Sequence, residues 1–196
     1  MTLYIGLMSG TSLDGVDGVL AAFDDGGDAA AHIVGDGDSS DASLRVVGHV
    51  HRPFPSVLRA ELLALNASGA DELHRSALAG NALAHVYAEV VAILLESSAT
   101  ARTAVCAVGA HGQTVRHRPR EFDGIGYTLQ LNAPALLAEL VGIDVVADFR
   151  SRDVAAGGIG APLVPAFHRA VFGRRDATVA VLNIGGIGNL TVLHAD

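Results

Sequence analysis

The chain has 196 residues, half of them hydrophobic, which is long enough for one full domain with a sizeable core. Its 21 acidic and 13 basic residues give a formal net charge of -8, which argues against a nucleic-acid surface because such a surface needs a basic stripe. Apart from histidine every basic residue is arginine, and the absence of lysine excludes the Gly-Lys-Ser/Thr phosphate loop.

The first predicted element is a hairpin: residues 3–8 are apolar, residues 9–14 form a polar bend, and residues 15–23 are apolar again. Hydroxyls and backbone N–H groups at a glycine-containing bend can bind a phosphate, and neighbouring carboxylates can hold a hydrated Mg²⁺. An ordinary hairpin of turn-forming residues explains the same composition equally well. The residues alone leave both interpretations open.

The next elements alternate between polar segments and apolar ones. Residues 24–43 are rich in Asp, Gly, Ala and Ser and predict a solvated loop. Residues 43–52 predict a third strand, on which His49 and His51 share one face as exposed side chains. Residues 55–65 predict a short helix that begins with proline, and residues 71–97 predict a long amphipathic helix.

A second group of strands ends in polar residues. Residues 103–110 predict a buried strand that leads directly into the polar segment 109–115, a suitable position for a ligand cleft. Residues 127–131 predict another strand, and we expect Asn132 to cap the helix that follows and ends at Gly142. Residues 143–147 predict a buried strand that ends at Asp148.

The last elements repeat the pattern of the first hairpin. After a predicted helix over residues 163–172, strands at 178–184 and 190–194 enclose a glycine-rich bend. The repeat predicts an α/β protein with two related domains, the first spanning residues 1–176 and the second represented by a hairpin at 177–196. Two such hairpins across a cleft would hold a nucleotide's phosphates from both sides.

Cys106 is the single cysteine, so no disulfide can form within the chain, which suits a reducing compartment. We expect Cys106 to be a small buried residue inside a strand. No run of 18 apolar residues predicts a membrane-spanning helix, and no basic segment precedes the short apolar N-terminus as in a secretory signal. The prediction is a soluble cytoplasmic protein that contacts neither membrane nor nucleic acid.

Four stretches resemble one known family closely: IGLMSGTSLDGVDGVL, GAHGQTVRHRP, TLQLNAPALLAELVGIDVVADFRSRDVAAGGIGAPLVPAFH and VLNIGGIGNLTVL. They look like the anhydro-N-acetylmuramic acid kinase family, which belongs to the sugar kinase, Hsp70 and actin superfamily. The resemblance implies an actin-like, ribonuclease H-like ATPase fold. It covers most of the chain except residues 24–43.

The resemblance also implies an activity. Such kinases use ATP and Mg²⁺ to open the anhydro ring of 1,6-anhydro-N-acetylmuramic acid with water and to phosphorylate O6, which yields N-acetylmuramic acid 6-phosphate during cell-wall recycling. Two other functions remain open: a non-catalytic sugar-binding half-domain, and a kinase of the same fold that acts on a different sugar. Family members commonly form dimers, so a homodimer is expected.

The residue roles carried over by motif fall into three groups. Asp148 matches the catalytic aspartate, although a helix cap or an ion pair with Arg150 or Arg152 would also explain it. The expected sugar contacts are Gln113, Thr114 and Arg150, and His111 is expected to orient its neighbours rather than to react. The expected phosphate-binding residues are Gly10, Thr11, Ser12, Leu13, Asp14, Gly15, Val16 and Asp17 in the first hairpin and Asn183, Gly185 and Gly186 in the second.

Two expectations concern the metal and the length. Either Asp14 or Asp17 would bind Mg²⁺ indirectly, and the sequence does not choose between them. Members of the family are nearly twice as long as this chain, so we interpret it as a fragment, with a truncated relic or half of a split enzyme as alternatives. On this interpretation the chain alone turns over no ATP.

Overall fold

The computed structural model describes residues 1–23, 44–184 and 188–195. The predicted loop over residues 24–43 and the predicted phosphate-binding residues Gly185 and Gly186 therefore lie outside the described residues. The rest forms an α/β structure around a mixed five-stranded sheet.

The sheet has the strand order β3-β2-β1-β4-β7. Strands β1 (Thr2–Met8), β2 (Gly15–Phe23) and β3 (Leu44–Pro53) are antiparallel neighbours. Strands β4 (Val105–Ala110) and β7 (Val145–Ala147) then extend the sheet in parallel with β1. Each strand was predicted from its apolar pattern, with bounds that differ by at most two residues.

Three helices cover one face of this sheet: α1 (Ser56–Ala64), α2 (Glu72–Ser97) and α3 (Pro134–Val141). Gly18 allows α2 to pack closely, because a Cβ at this position would lie 2.2 Å from Val90 Cγ1. Alternate strand residues and the apolar stripes of the helices together form one core. Its most deeply buried members include Ile5, Val16, Leu20, Leu62, Leu83, Tyr87, Val90, Leu94, Val108 and Leu137.

The opposite face of the sheet is apolar and largely uncovered among the described residues. Its members line a shallow depression of about 670 Å³, in which Tyr4 and Phe23 stack edge to face with ring centroids 5.6 Å apart. Helix α5 (Pro165–Phe172) reaches the border of this face through Phe167.

Cys106 is exposed, so the prediction that it is buried is wrong. The register between β1 and β4 pairs Leu3 with Val105 but Tyr4 with Ala107, which leaves Cys106 as the extra residue of a β-bulge. A bulge interrupts the alternation of inward and outward side chains, and its position depends on the partner strand rather than on local sequence.

A separate two-stranded ribbon lies beside the sheet. It consists of β5 (Gln113–Pro119), which was not predicted, and β6 (Gly126–Leu131). Arg116 on β5 fixes the ribbon to the helical layer, because its guanidinium binds Leu65 O and the carboxylate of Glu72.

Asn132, the residue after β6, does not cap α3, so that prediction is wrong. The N-cap position is Ala133, without a side-chain hydrogen bond, and Asn132 Nδ2 instead donates to Ala110 O at 3.1 Å. The helix itself ends as predicted at Gly142, which has a left-handed conformation.

The second hairpin consists of β8 (Val179–Asn183) and β9 (Asn189–Leu193), which form their own two-stranded sheet. It packs on α5, where His168 Nδ1 lies 3.0 Å from Thr191 Oγ1. A short helix, α4 (Ser151–Ala155), precedes α5.

By length and composition, helix α2 is long and apolar enough to cross a membrane. This is weak evidence for a membrane-spanning segment, because the core helices of soluble proteins pass the same test. Half of its most apolar window is buried inside the protein. Asn81, His85 and Glu89 form its exposed side, as the periodicity predicted.

Candidate functional site

Three polar turns meet at one edge of the central sheet. Strands β1, β4 and β7 are parallel, so their carboxyl ends lie side by side. Ser9, His111 and Asp148 are the residues that follow these strands. An edge formed by the carboxyl ends of parallel strands is the usual ligand position in α/β proteins, and the predicted catalytic residue Asp148 lies there together with the turn of the first hairpin.

The turn after β1 presents its hydroxyls and one carboxylate to solvent. Thr11, Ser12 and Asp14 are exposed, and Leu13 N donates to Gly10 O at 3.2 Å. Ser12 Oγ donates to Asp14 Oδ1 at 2.8 Å, and this hydrogen bond holds the pKa of Asp14 below its usual range. The turn therefore combines backbone donors with a carboxylate that stays ionised.

Three of the predicted phosphate-binding residues in this hairpin serve the packing of the core and the sheet. Leu13 and Val16 belong to the hydrophobic core, with 5% and 0% of their surface exposed. A Cβ at Gly15 would lie 2.3 Å from Arg52 O on β3, so glycine is required there by strand packing. These three residues therefore offer a ligand no polar side chain, and Gly15 and Val16 already pair with β3.

Asp17 lies on β2 opposite two histidines of β3. Its Oδ1 is 3.2 Å from His49 Nε2 and 3.1 Å from His51 Nδ1, and all three side chains are exposed, as was predicted for the histidines. Within the described ranges, no group of three or more His, Cys, Asp or Glu residues could hold a metal ion. The geometry thus suits, at most, a metal that one carboxylate contacts through water.

Asp148 occupies the turn between β7 and α4. Its backbone is left-handed, with φ 58°, and its exposed carboxylate accepts a 3.3 Å hydrogen bond from Ser151 N. The carboxylate borders a cavity of about 250 Å³, below the roughly 300–1,000 Å³ typical of sites for drug-sized ligands. The cavity is lined by His111, Thr128, Leu129, Gln130, Asn132, Pro134, Ala147, Asp148 and Ser151.

Strand β6 supplies the polar wall of this cavity. Gln130 Nε2 donates to Thr128 Oγ1 at 2.8 Å and to Thr114 Oγ1 at 3.2 Å, which fixes the amide. Asn132 Oδ1 is buried and has no hydrogen-bond partner among the described residues. A buried acceptor without a donor is costly, so this oxygen is a position where a ligand hydroxyl or N–H would be stabilised.

The structure separates the three predicted sugar contacts. Thr114 supports the cavity wall through Gln130, whereas Gln113 is 1% exposed and donates to Gly10 O at 3.2 Å. Arg150 is not among the lining residues, but its Nε donates to His111, which does line the cavity. Gln113 is therefore placed against the first hairpin rather than among the residues that line the cavity.

Arg150 is held by two acceptors and by no carboxylate of the described residues. Its Nε donates to His111 Nε2 at 2.8 Å and its Nη1 donates to Gly160 O at 2.6 Å. Burial lowers the pKa of Arg150, although an arginine stays charged. His111 in turn lies with Nδ1 2.7 Å from Gly112 O, and burial lowers the pKa of its imidazole.

The second predicted phosphate loop is described only at its two ends. Asn183 closes β8 opposite Asn189 and is exposed. Asn183 does not line the cavity beside Asp148, and Gly185 and Gly186 lie outside the described residues.

Sequence reasoning missed the cavity wall formed by Thr128, Gln130 and Asn132. These residues alternate along one strand, so a polar face at period two was the available signal. It also missed Ser9, whose Oγ donates to Gly112 O at 3.2 Å, because the pairing partner lies 103 residues away.

Comparison with known proteins gives one consistent result. The family model described as anhydro-N-acetylmuramic acid kinase matches residues 2–196. The chain is 64% identical over 191 residues to the anhydro-N-acetylmuramic acid kinase of Albidiferax ferrireducens and 64% identical over 193 residues to that of Variovorax paradoxus. It is 56% identical over 193 residues to the protein of the same name from Cupriavidus metallidurans.

These matches cover 97–98% of this chain but only 45–47% of each relative. The chain thus spans about half the length of the curated relatives it matches, and corresponds to their N-terminal part.

Proposed function

Because the chain belongs to the anhydro-N-acetylmuramic acid kinase family, we propose that it is the N-terminal part of an enzyme that converts 1,6-anhydro-N-acetylmuramic acid to N-acetylmuramic acid 6-phosphate with ATP. The observation that carries this proposal is the exposed Asp148 carboxylate at the wall of a small cavity that also carries polar side chains. A general base must be accessible to the group whose proton it takes, and the exposure of Asp148 supports that role.

The proposed fold is the actin-like, ribonuclease H-like ATPase fold. Three antiparallel strands followed by two parallel ones, in the order β3-β2-β1-β4-β7, support it. Residues 1–176 would then form the first domain, and residues 177–196 the first hairpin of a second. The separate sheet formed by β8 and β9 is consistent with that division.

Asp148 would act on the water that opens the anhydro ring. Its carboxylate accepts a proton as the water oxygen bonds to the anomeric carbon, and the bond from that carbon to O6 breaks. The freed O6 then bonds to the γ-phosphorus of ATP, and ADP leaves. The left-handed backbone at Asp148 directs the residue out of the strand end, while Ser151 N holds one carboxylate oxygen.

The first hairpin would hold the nucleotide's phosphates. Thr11, Ser12 and the backbone from Gly10 to Asp17 supply donors, and Asn183, Gly185 and Gly186 would act from the second hairpin. When bound, Mg²⁺ would offset phosphate charge. Asp14 fits indirect Mg²⁺ binding better than Asp17, because it is exposed and held ionised by Ser12, whereas His49 and His51 contact Asp17.

The sugar would occupy the cavity between Asp148 and β6. Asn132 Oδ1 provides an unused acceptor for a hydroxyl or amide N–H, and Gln130 is fixed by Thr114 and Thr128. Arg150 supplies a positive charge beside the same turn. Gln113 would contribute indirectly, because it fixes the turn at Gly10.

The test joins residues 1–196 to the C-terminal half of the Variovorax paradoxus relative. We expect the fusion to release ADP only when 1,6-anhydro-N-acetylmuramic acid is present, and to incorporate ¹⁸O from labelled water at the anomeric carbon. The unfused chain should release none. ADP release without the sugar, or with simple hexoses in its place, would reject the proposed substrate.

Two further expectations belong to the same proposal: a cytoplasmic location and a homodimer. The substrate is a recycled sugar that must meet ATP, which supports the first. Analytical ultracentrifugation of the fusion protein would test the second.

A further inference from the structure

His111 is half-buried, lines the same cavity as Asp148 and makes two hydrogen bonds with defined directions. Arginine can only donate, so His111 Nε2 accepts from Arg150 Nε. The backbone oxygen of Gly112 can only accept, so His111 Nδ1 carries a proton and donates to it at 2.7 Å. The two partners therefore assign the neutral imidazole with its proton on Nδ1.

The contact with His111 fixes the orientation of the Arg150 guanidinium. His111 Nε2 and Gly160 O hold two nitrogens of Arg150, and no described carboxylate pairs with the guanidinium. Gly160 is itself held by Asp153, whose Oδ2 accepts from Gly160 N at 2.7 Å. A half-buried cation held by neutral acceptors keeps its charge available for an anion.

We propose that His111 is a positioning residue. Its neutral imidazole accepts a hydrogen bond from Arg150 and so orients the guanidinium, which is the anion-binding group of the site. This inference rests on the proposed function, because it names what Arg150 would recognise. Two anions could meet the guanidinium there: the lactyl carboxylate of the muramic acid sugar, or a phosphate of the nucleotide.

Protonation of His111 at Nε2 would break its hydrogen bond with Arg150. A proton on Nε2 would face the Arg150 N–H, so the hydrogen bond would be replaced by repulsion between two cations. Burial already favours the neutral imidazole. Among the described residues, the charged groups at this position are Arg150, which disfavours protonation, and Asp148, which lines the same cavity.

The first experiment examines the pair without any ligand. ¹⁵N NMR of the 196-residue chain should show His111 with Nδ1 protonated and Nε2 unprotonated at pH 7. The Arg150→Leu variant should shift the Nε2 resonance, and His111→Gln identifies the signals. A protonated Nε2, or an Nε2 signal unchanged in Arg150→Leu, would overturn the proposal whether or not the chain binds a sugar.

The second experiment compares two sugars by titration calorimetry: 1,6-anhydro-N-acetylmuramic acid and 1,6-anhydro-N-acetylglucosamine, which lacks the lactyl carboxylate. His111→Leu should weaken binding of the acidic sugar by about tenfold more than it weakens binding of the neutral sugar, which is the size of one lost charged hydrogen bond. His111→Gln keeps an acceptor within reach of Arg150 and should stay within about threefold of the parent chain. His85→Leu on the exposed side of α2 is the matched control.

The pH dependence separates a positioning role from a merely structural one. Because burial lowers the pKa of His111, the parent chain's preference for the acidic sugar should decline only as the pH falls below about 6.5, from pH 6.5 towards pH 5, whereas that of His111→Gln should not. The lactyl carboxylate stays ionised over this range, since such groups titrate at about 3.5. Equal losses of anion binding in His111→Leu and His111→Gln, or binding of both the acidic sugar and tripolyphosphate that is unchanged in His111→Leu, would overturn the proposal.

Tripolyphosphate distinguishes the source of the anion. If His111→Leu weakens tripolyphosphate binding and spares the acidic sugar, the positioning role stands and the anion is a phosphate. If neither sugar binds any variant, the proposed function fails, and the NMR experiment still decides the relation between His111 and Arg150.

Discussion

Gln113 Nε2 donates a hydrogen bond to Gly10 O at 3.2 Å and thereby joins β5 to the turn of the first hairpin, 103 residues away. Gln113 is almost completely buried, and its Oε1 has no partner among the described residues. The turn that would meet the phosphates is therefore fixed by a side chain from a different sheet.

Replacing Gln113 tests this connection. Gln113→Glu would place an acceptor against Gly10 O and bury a carboxylate, so we expect a loss of about 3 kcal/mol or more in the free energy of unfolding. Gln113→Met removes the donor together with the unpaired Oε1, and the expected loss is about 1–2 kcal/mol. Urea denaturation measures both, with Asn81→Asp on the exposed side of α2 as the control. Stability of Gln113→Met equal to that of the parent chain would contradict the role of the donor.

Asp148→Asn separates catalysis from helix capping. Asparagine keeps an acceptor for Ser151 N and tolerates the left-handed backbone, so stability should not change. In the fusion protein we expect turnover to fall by about 10²–10⁴-fold, the usual contribution of a general base, while the sugar still binds. Asp144→Asn, at an exposed position just before β7, is the control. Unchanged turnover would reject Asp148 as the general base, and an absence of turnover in the parent fusion together with retained sugar binding would favour a non-catalytic sugar-binding module.

The burial of the Tyr87 phenol predicts a loss of folding stability at alkaline pH. Its fully buried phenol lies 3.3 Å from Ser9 Oγ, and burial raises the pKa of Tyr87 to about 12. Between pH 10 and 12 the unfolded chain would lose this proton while the folded chain keeps it, so folding becomes less favourable as the pH rises. The loss through this window is about 2–3 kcal/mol.

The variant Tyr87→Phe cannot ionise and should therefore lose less stability over the same pH range. At pH 7 it should lose about 1 kcal/mol, the value of one hydrogen bond. Thermal unfolding at pH 7, 10 and 11 gives the comparison. Parallel curves for the two proteins would show that Tyr87 is ionised at its ordinary pKa.

The bulge between β1 and β4 predicts that Cys106 reacts in the folded protein. Its exposed thiol should react with Ellman's reagent within about tenfold of the rate in urea, because no unfolding is needed. Cys106→Ser removes the signal and serves as the control. A rate lower by about 10³-fold or more would mean that the thiol is reached only by opening of the sheet.

The sequence predicted those strands and helices that bury one face and expose the other. The strand Gly15–Phe23 and the helix Glu72–Ser97 carry their apolar residues at the periods of two and 3.6 that a covered sheet and an amphipathic helix require. Strand β5 was missed because His117, Arg118 and Pro119 suggest a loop, and it becomes a strand only through pairing with β6.

The candidate site likewise contains a residue that the sequence could place and contacts that it could not. Asp148 could be placed by its motif at a strand end, because the strand itself was predictable. The pairing of His111 with Arg150, and the unused acceptor of Asn132, arise only when distant turns meet at the sheet edge. Local sequence fixes which groups are present, and tertiary packing decides which of them face each other.

One carbonyl, Gly112 O, accepts hydrogen bonds from both Ser9 Oγ and His111 Nδ1. Ser9 begins the turn that would meet the nucleotide, and His111 leads through Arg150 to the turn that would meet the sugar. A shift of one turn would therefore change the hydrogen bonding of the other, so that the two ligand sites would be coupled. By thermodynamic linkage, the sugar would change nucleotide affinity by the same factor by which the nucleotide changes sugar affinity.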